Sequence, residues 1–328
     1  MKLPSLLAQA QGRGTRSSRG SWNRPVKSSD LSTTASAKGG KPRPQDWLLL
    51  SSLVLIWAVS WPVIKIGVGQ ISPIWYGCER YAIAALILFG LLAARRELAL
   101  PPRSDLPLVF ISGALQMAAY SALTGLALTI LPPGRASVLA FSTPILVAPL
   151  AAWRLGERVP RRAAVGVVIG CMGIFAIALP SFALGSREAL AYAMLMGAAA
   201  AWAITIVTVR GHRFASSALR LAPWQMLIAA TLLLVVAMFV EGVPGQITLA
   251  GAATLAYVAP VATAFAYWAV VEAGRRFPAS TMSTALLASP SFGLLISSYA
   301  LQEPIDASLL AGVGLTATGI RLTVTATL

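Results

Sequence analysis

From Trp47 onward the chain reads as long apolar stretches separated by short polar or turn-forming breaks. A membrane-crossing helix needs about 20 apolar residues. Ten segments meet that need: 47–68, 73–94, 106–129, 132–153, 161–180, 188–209, 217–240, 248–273, 279–300 and 305–327. None alternates with a strand-like period over its whole length. The breaks carry turn chemistry, as in Ser72-Pro73, Pro101-Pro102, Pro132-Pro133-Gly134 and Gly242-Val243-Pro244-Gly245. The pattern predicts an all-α integral membrane protein with ten transmembrane helices.

Residues 1–46 are a different material. They hold 11 Ser or Thr, nine of the 26 basic residues and two of the 11 acids. Low hydrophobicity with net charge predicts a disordered basic tail. An Arg/Ser-rich, acid-poor tail also resembles an organellar transit peptide, but the preferred reading is a solvated cytoplasmic tail.

Composition narrows the function. The chain is 57% apolar and 11% charged, against about 25% charged in a typical soluble domain. The net charge of +15 does not indicate nucleic acid, because the basic residues sit in short clusters between apolar runs. Alternating the ten segments puts 22 Lys or Arg on the side of the N-terminus and two on the other. Positive loops favour the cytoplasm, so both termini are expected there. One His (His212) and two Cys (Cys78, Cys171) exclude a disulfide scaffold, a zinc site or a His-based triad. No phosphate-binding Walker sequence is present. No catalytic residues, metal or cofactor are expected.

The chain repeats itself. A shift of 146 residues aligns 155–174 with 301–320 at six of 20 positions, including Glu157/Glu303, Gly166/Gly312 and Gly173/Gly319. The same shift pairs Ser137 with Ser283 and Pro144 with Pro290. Two five-helix repeats follow, 47–180 and 188–327. Five is odd, so the second repeat enters the membrane inverted, an arrangement that suits alternating access.

These residues resemble the EamA-type permeases of the drug/metabolite transporter superfamily. The resemblance is carried by Pro133-Gly134-Arg135-Ala136-Ser137 leading to Thr143-Pro144, then Leu155-Gly156-Glu157. The second repeat offers Pro278-Ala279-Ser280, Ser289-Pro290 and Gln302-Glu303-Pro304. What the resemblance implies is a ten-helix carrier in the bacterial inner membrane, often an exporter, with amino acids and related polar organics as the usual cargo.

Polar and aromatic side chains inside apolar spans are the candidate site, because intramembrane charges usually face a cavity or a partner. Trp57, Trp61 and Lys65 share one helix face at i, i+4, i+8. The two Trp either wall a cavity or pack against neighbours; Lys65 either acts or reaches the interface. Arg80 lies about two turns into its span and needs a partner, either a cargo carboxylate or a gate carboxylate. The structural alternative is a fixed ion pair, with Lys65 and Glu79 as one option. Gln116, Tyr120 and Thr124 form a polar stripe that either lines a cavity or bonds between helices. Phe141, Trp202 and Tyr267 complete the expected substrate-binding set. Pro144 and Pro290 each remove a backbone donor near mid-span and are expected as paired bending points, with static kinks as the alternative. Glu272 is read as an interface ion pair with Arg275 and Arg276, with a proton-coupling role as the other option. Glu157 and Glu303 are read as anchors at helix N-termini. Trp47, Trp75 and Trp153 fit an interfacial belt.

The expectation is a secondary transporter of small metabolites, with membrane lipid as surroundings, proton coupling left open, no nucleic-acid partner, and either a monomer or a homodimer. Broad drug or amine efflux is the alternative, ahead of a channel or an intramembrane enzyme.

Overall fold

In a hydrocarbon solvent every backbone N–H and C=O needs an internal partner, and an unbroken apolar run meets that demand as a helix. The computed structural model describes residues 43–157, 159–182, 186–210, 212, 214–277, 279–286 and 288–327, and among them are helices and turns but no strand. Of the expected tail, residues 1–42 lie outside the described residues. Pro44 already opens the first helix.

Eight helices come first: α1 (Pro44–Val68), α2 (Pro73–Ala94), α3 (Leu106–Ile130), α4 (Pro133–Leu155), α5 (Arg161–Phe182), α6 (Ser186–Val209), α7 (Ala218–Val240) and α8 (Leu249–Gly274). Then follow α9 (Ala279–Leu286), α10 (Ala288–Leu301) and α11 (Ala307–Thr327). Among the described residues nine helices, α1–α8 and α11, are long and apolar enough to cross a membrane. The expected ninth span, 279–300, is described as the helical stretches α9 and α10 on either side of residue 287, which lies outside the described residues.

Helix α4 is interrupted. Its first part ends at Ala140 and its second begins at Thr143. At Phe141 and Ser142 ψ is close to zero (1° and −1°), and the Ser142 hydroxyl donates to Leu139 O at 2.6 Å. Pro144 therefore stands in the first turn after the break, where no backbone donor is required. The break precedes Pro144, which lies near the middle of the span Pro133–Leu155, and Pro290 lies in α10.

Two wide-turn π segments were not legible in the sequence. Ser112–Ala119 lies inside α3 and Val258–Phe265 inside α8, and a shift of 146 superposes one range on the other. In α8 the cause is visible: Pro260 lacks a donor, and Thr263 Oγ1 donates to Val258 O at 2.8 Å.

Helices α5 and α11 meet through glycine. A Cβ on Gly173 would lie 2.7 Å from Gly312 O and 2.6 Å from Thr316 N; one on Gly166 would lie 2.7 Å from Gly319 O and 2.8 Å from Thr323 N. The backbones themselves touch, as small residues allow between membrane helices. The earlier residue of one helix meets the later residue of the other, so the pair is antiparallel.

Two carboxylates fasten helix starts across the chain. Glu241 accepts from Ile74 N and Trp75 N, each at 3.0 Å, at the start of α2. Asp105, fully buried, accepts from Ala215 N and Ser216 N just ahead of α7. A carboxylate is well placed at a helix N-terminus. Trp75 is itself buried, with Nε1 donating to Gly242 O at 3.0 Å, so it packs inward rather than in an interfacial belt. Trp153, by contrast, is 82% exposed.

Candidate functional site

Between the helices lies a cavity of about 450 Å³. Its wall draws on α1, α2, α3, α4, α6, α7, α8, α9 and α11, so both halves of the chain contribute. Trp57, Trp61, Arg80, Gln116, Tyr120, Phe141, Trp202 and Tyr267 all face it, as does Pro144. Pro290 does not; its carbonyl lies 3.5 Å from Ser137 Oγ, beside a smaller pocket.

The aromatics support one another. Phe141 lies between Trp57 and Trp61, with ring centroids 6.5 and 6.4 Å away. Tyr120 meets Trp202 edge-on at 5.1 Å. Tyr267 donates its hydroxyl to Gln225 Oε1 at 3.1 Å. Edge-to-face pairs of this kind hold ring orientation as well as burying area. The π segments place polar groups here: Gln116 comes from the first and Thr263 from the second. Thr124 faces the cavity but donates its hydroxyl to Tyr120 O at 2.7 Å. Thr143 and Met226 also line the wall, and no signal in one sequence singles out a Thr beside a break or a Met in an apolar run.

Arg80 is the one charged side chain of this wall among the described residues. Its Nε donates to Thr263 Oγ1 at 2.7 Å, and its guanidinium carbon lies 5.2 Å from the Tyr81 ring centre. Glu79 forms no pair with it, and Glu79 Oε2 is buried without a hydrogen-bond partner among the described residues. Nor does Glu79 pair with Lys65. The Lys65 ammonium donates to Leu128 O at 2.5 Å and Leu131 O at 3.2 Å, in and just past the last turn of α3. The free carbonyls of a helix C-terminus attract a cation.

A lock ties the start of α4 to the loop before α11. Glu303 accepts from Gly134 N at 3.1 Å, and Arg135 is paired with Asp306. Glu303 thus anchors α4, not the helix that follows it. Burial pushes its carboxyl above the usual range, against the pull of the Gly134 N–H, Lys65 and Arg135. Asp306 is held low by the Ser308 hydroxyl and the Leu309 N–H. Glu157 pairs instead with Arg210 at 2.9 Å. At the N-terminal end of α1, Arg276 joins Asp46 and Glu272, the latter at 2.6 Å. Glu272 therefore sits in an ion pair away from the cavity wall. His212 lies 3.3 Å from Asp105. Among the described residues no cluster of three metal-binding side chains occurs.

Comparison with known proteins extends the picture. The EamA-like transporter family model matches residues 47–179 and again 189–325. An uncharacterized transporter, YvbV of Bacillus subtilis (strain 168), is 26% identical over 285 residues, 86% of this chain and 92% of its own length. The "Probable terminal-alkyne amino-acid exporter" of Streptantibioticus cattleyicolor is 31% identical over 136 residues, 40% of this chain and 44% of its own. A solved crystal structure covers 87% of this chain and 99% of that chain, with a TM-score of 0.58 at 18% identity; that likeness is one of fold.

Proposed function

The chain belongs to the EamA-like transporter family, and on that premise we propose that it is a secondary carrier exporting small polar organic solutes, amino acids among them. The observation that carries this reading is the aromatic cavity of about 450 Å³ built from both halves of the chain. That volume lies in the range of about 300–1,000 Å³ usual for small-molecule sites. The amino-acid class is supported by the exporter that shares 31% identity over 136 residues.

Alternating access between two inverted five-helix repeats is the mechanism proposed. Two features support it: the π segments recurring at a shift of 146, and the α5–α11 contact, in which Gly166 meets Gly319 and Gly173 meets Gly312. Applying that shift to the first contact gives the second, as a two-fold relation requires. Pro144, just after the break in α4, and its repeat counterpart Pro290 are the bending points. The distribution of Lys and Arg supports an inner-membrane protein with both termini in the cytoplasm. The chain moves its cargo without covalent chemistry, and one copy encloses the cavity. An amine-efflux reading is weaker, because no Asp or Glu lines the wall among the described residues.

The test is exchange in liposomes. Purified protein, reconstituted and loaded with a mixture of unlabelled amino acids, is offered labelled members of the same panel. Counterflow is expected for at least one, and Trp202→Ala should raise its half-saturation concentration about 2- to 10-fold through loss of the Tyr120 pair. No counterflow for any member would count against the amino-acid reading.

A further inference from the structure

We propose that the cargo is an organic monocarboxylate with an apolar body, bound through its carboxylate to Arg80, and that an amino group on it is dispensable. This rests on the carrier reading above and narrows its cargo class. Arg80 lies within a helix expected to cross the membrane, and it faces the cavity. A charge taken out of water needs a partner. Thr263 takes one edge of the guanidinium, at Nε. The same hydroxyl donates to Val258 O, so it can only accept from Arg80, and the donor edge is fixed. No hydrogen bond or ion pair among the described residues reaches Nη1 or Nη2. Those two nitrogens form the end-on fork that a carboxylate meets with two parallel hydrogen bonds.

The rest of the wall says what else the ligand carries. Trp57, Trp61, Tyr120 and Trp202 offer ring faces and edges to an apolar body. Among the described residues no carboxylate in the lining is available to pair with an ammonium. An ammonium has only neutral oxygens, such as the Gln116 amide, and ring faces worth about 0.5–2 kcal/mol, and it shares the enclosure with a like charge on Arg80. A zwitterion is therefore tolerated, a bare amine is rejected, and a carboxylate without an amine is accepted.

Three probes with one benzyl body separate these cases: phenylalanine, phenylpyruvate and phenethylamine. Each is titrated into the purified full-length protein, with binding read by tryptophan fluorescence and by the shift in melting temperature. Phenylpyruvate and phenylalanine are expected to bind within about tenfold of each other, and phenethylamine at least tenfold more weakly. Arg80→Gln should weaken both acids about 10- to 100-fold. Arg80→Lys, which keeps the charge but loses the fork, should weaken them less. The comparison on the parent protein needs no variant, so a misfolded Arg80→Gln does not shield the proposal. Phenethylamine binding as well as phenylalanine, or acid binding unchanged in Arg80→Gln, would overturn it. So would failure of all three probes to bind. In each case the carrier reading stands or falls separately, on the counterflow panel.

Discussion

Substituting alanine at Gly173 tests how closely α5 and α11 are packed. The added Cβ would lie 2.5 Å from Thr316 Oγ1, 2.6 Å from Thr316 N and 2.7 Å from Gly312 O. Two of these three are backbone atoms, so no rotamer change clears them. Restoring ordinary contact at about 3.4 Å requires the helices to part by about 0.8 Å, and a gap of that size forfeits roughly a quarter to a half of each dispersion contact it opens. Overpacking of this kind costs about 1–3 kcal/mol, offset by up to about 1 kcal/mol of helix propensity. The net expectation for Gly173→Ala is a loss of about 1–2 kcal/mol. At Gly314, on α11 itself, an added Cβ would meet nothing within 4 Å. There the same substitution should gain about 0.5–1 kcal/mol. The assay is a denaturant titration of detergent-purified protein followed by tryptophan fluorescence. Opposite signs are expected at the two sites, separated by about 2 kcal/mol. Because Gly166 meets the same partner helix, adding Gly166→Ala should cost less than it does alone. Equal stability of the Gly173 and Gly314 variants would refute the close approach.

Asp105 should behave as a buried fastener. Asp105→Ala strands the Ala215 and Ser216 donors and is expected to cost about 2–4 kcal/mol in the same titration. His212→Ala should cost under about 1 kcal/mol, since that ring is partly exposed. Burial alone would raise the Asp105 pKa, but the Ala215 N–H, His212 and the Ser216 N–H together bring it below the usual 3.8. Its contribution is thus complete above about pH 4 and lost as pH falls through the lowered value; a melting temperature in the parent that does not drop more steeply in acid than in Asp105→Asn would contradict this. Glu303 has the opposite sign. Its carboxyl is raised above the usual 4.5, so the stability tied to it is fully present below that pH and declines as pH rises through the raised value. Glu303→Gln keeps an acceptor for Gly134 N–H and should flatten that decline, as seen in melting temperature against pH; an unchanged slope would show that Glu303 does not cause it.

The sequence made the helices legible because length and apolarity are enough to specify a span in hydrocarbon. It made the cavity wall legible for a related reason: Arg80, Gln116 and the Trp and Tyr side chains are costly toward lipid and turn inward together. Partnerships were another matter. Lys65 reaching Leu131 O and Glu303 reaching Gly134 N depend on distances between segments that one sequence does not encode locally. The π segments also escaped notice, since Ser112–Ala119 carries no proline and reads as ordinary helix.

The lock between the start of α4 and the loop before α11 has little charge opposite it. Moved by 146 residues, Arg135 falls on Thr281, Asp306 on Pro160 and Lys65 on Gly211. Glu303 alone keeps its charge, as Glu157, and that residue is committed to Arg210. For a carrier that alternates, a one-sided lock gives the two empty orientations different free energies. The lock itself cannot pump, because a fixed difference between two resting free energies does no net work over a cycle. It sets kinetics: a solute arriving at the locked side must wait for the scarcer orientation, and its apparent affinity falls by that fraction. A bias of about 1.4 kcal/mol separates the half-saturation concentrations on the two faces of the membrane about tenfold. The same molecule would then look like a good exporter and a poor importer while remaining reversible.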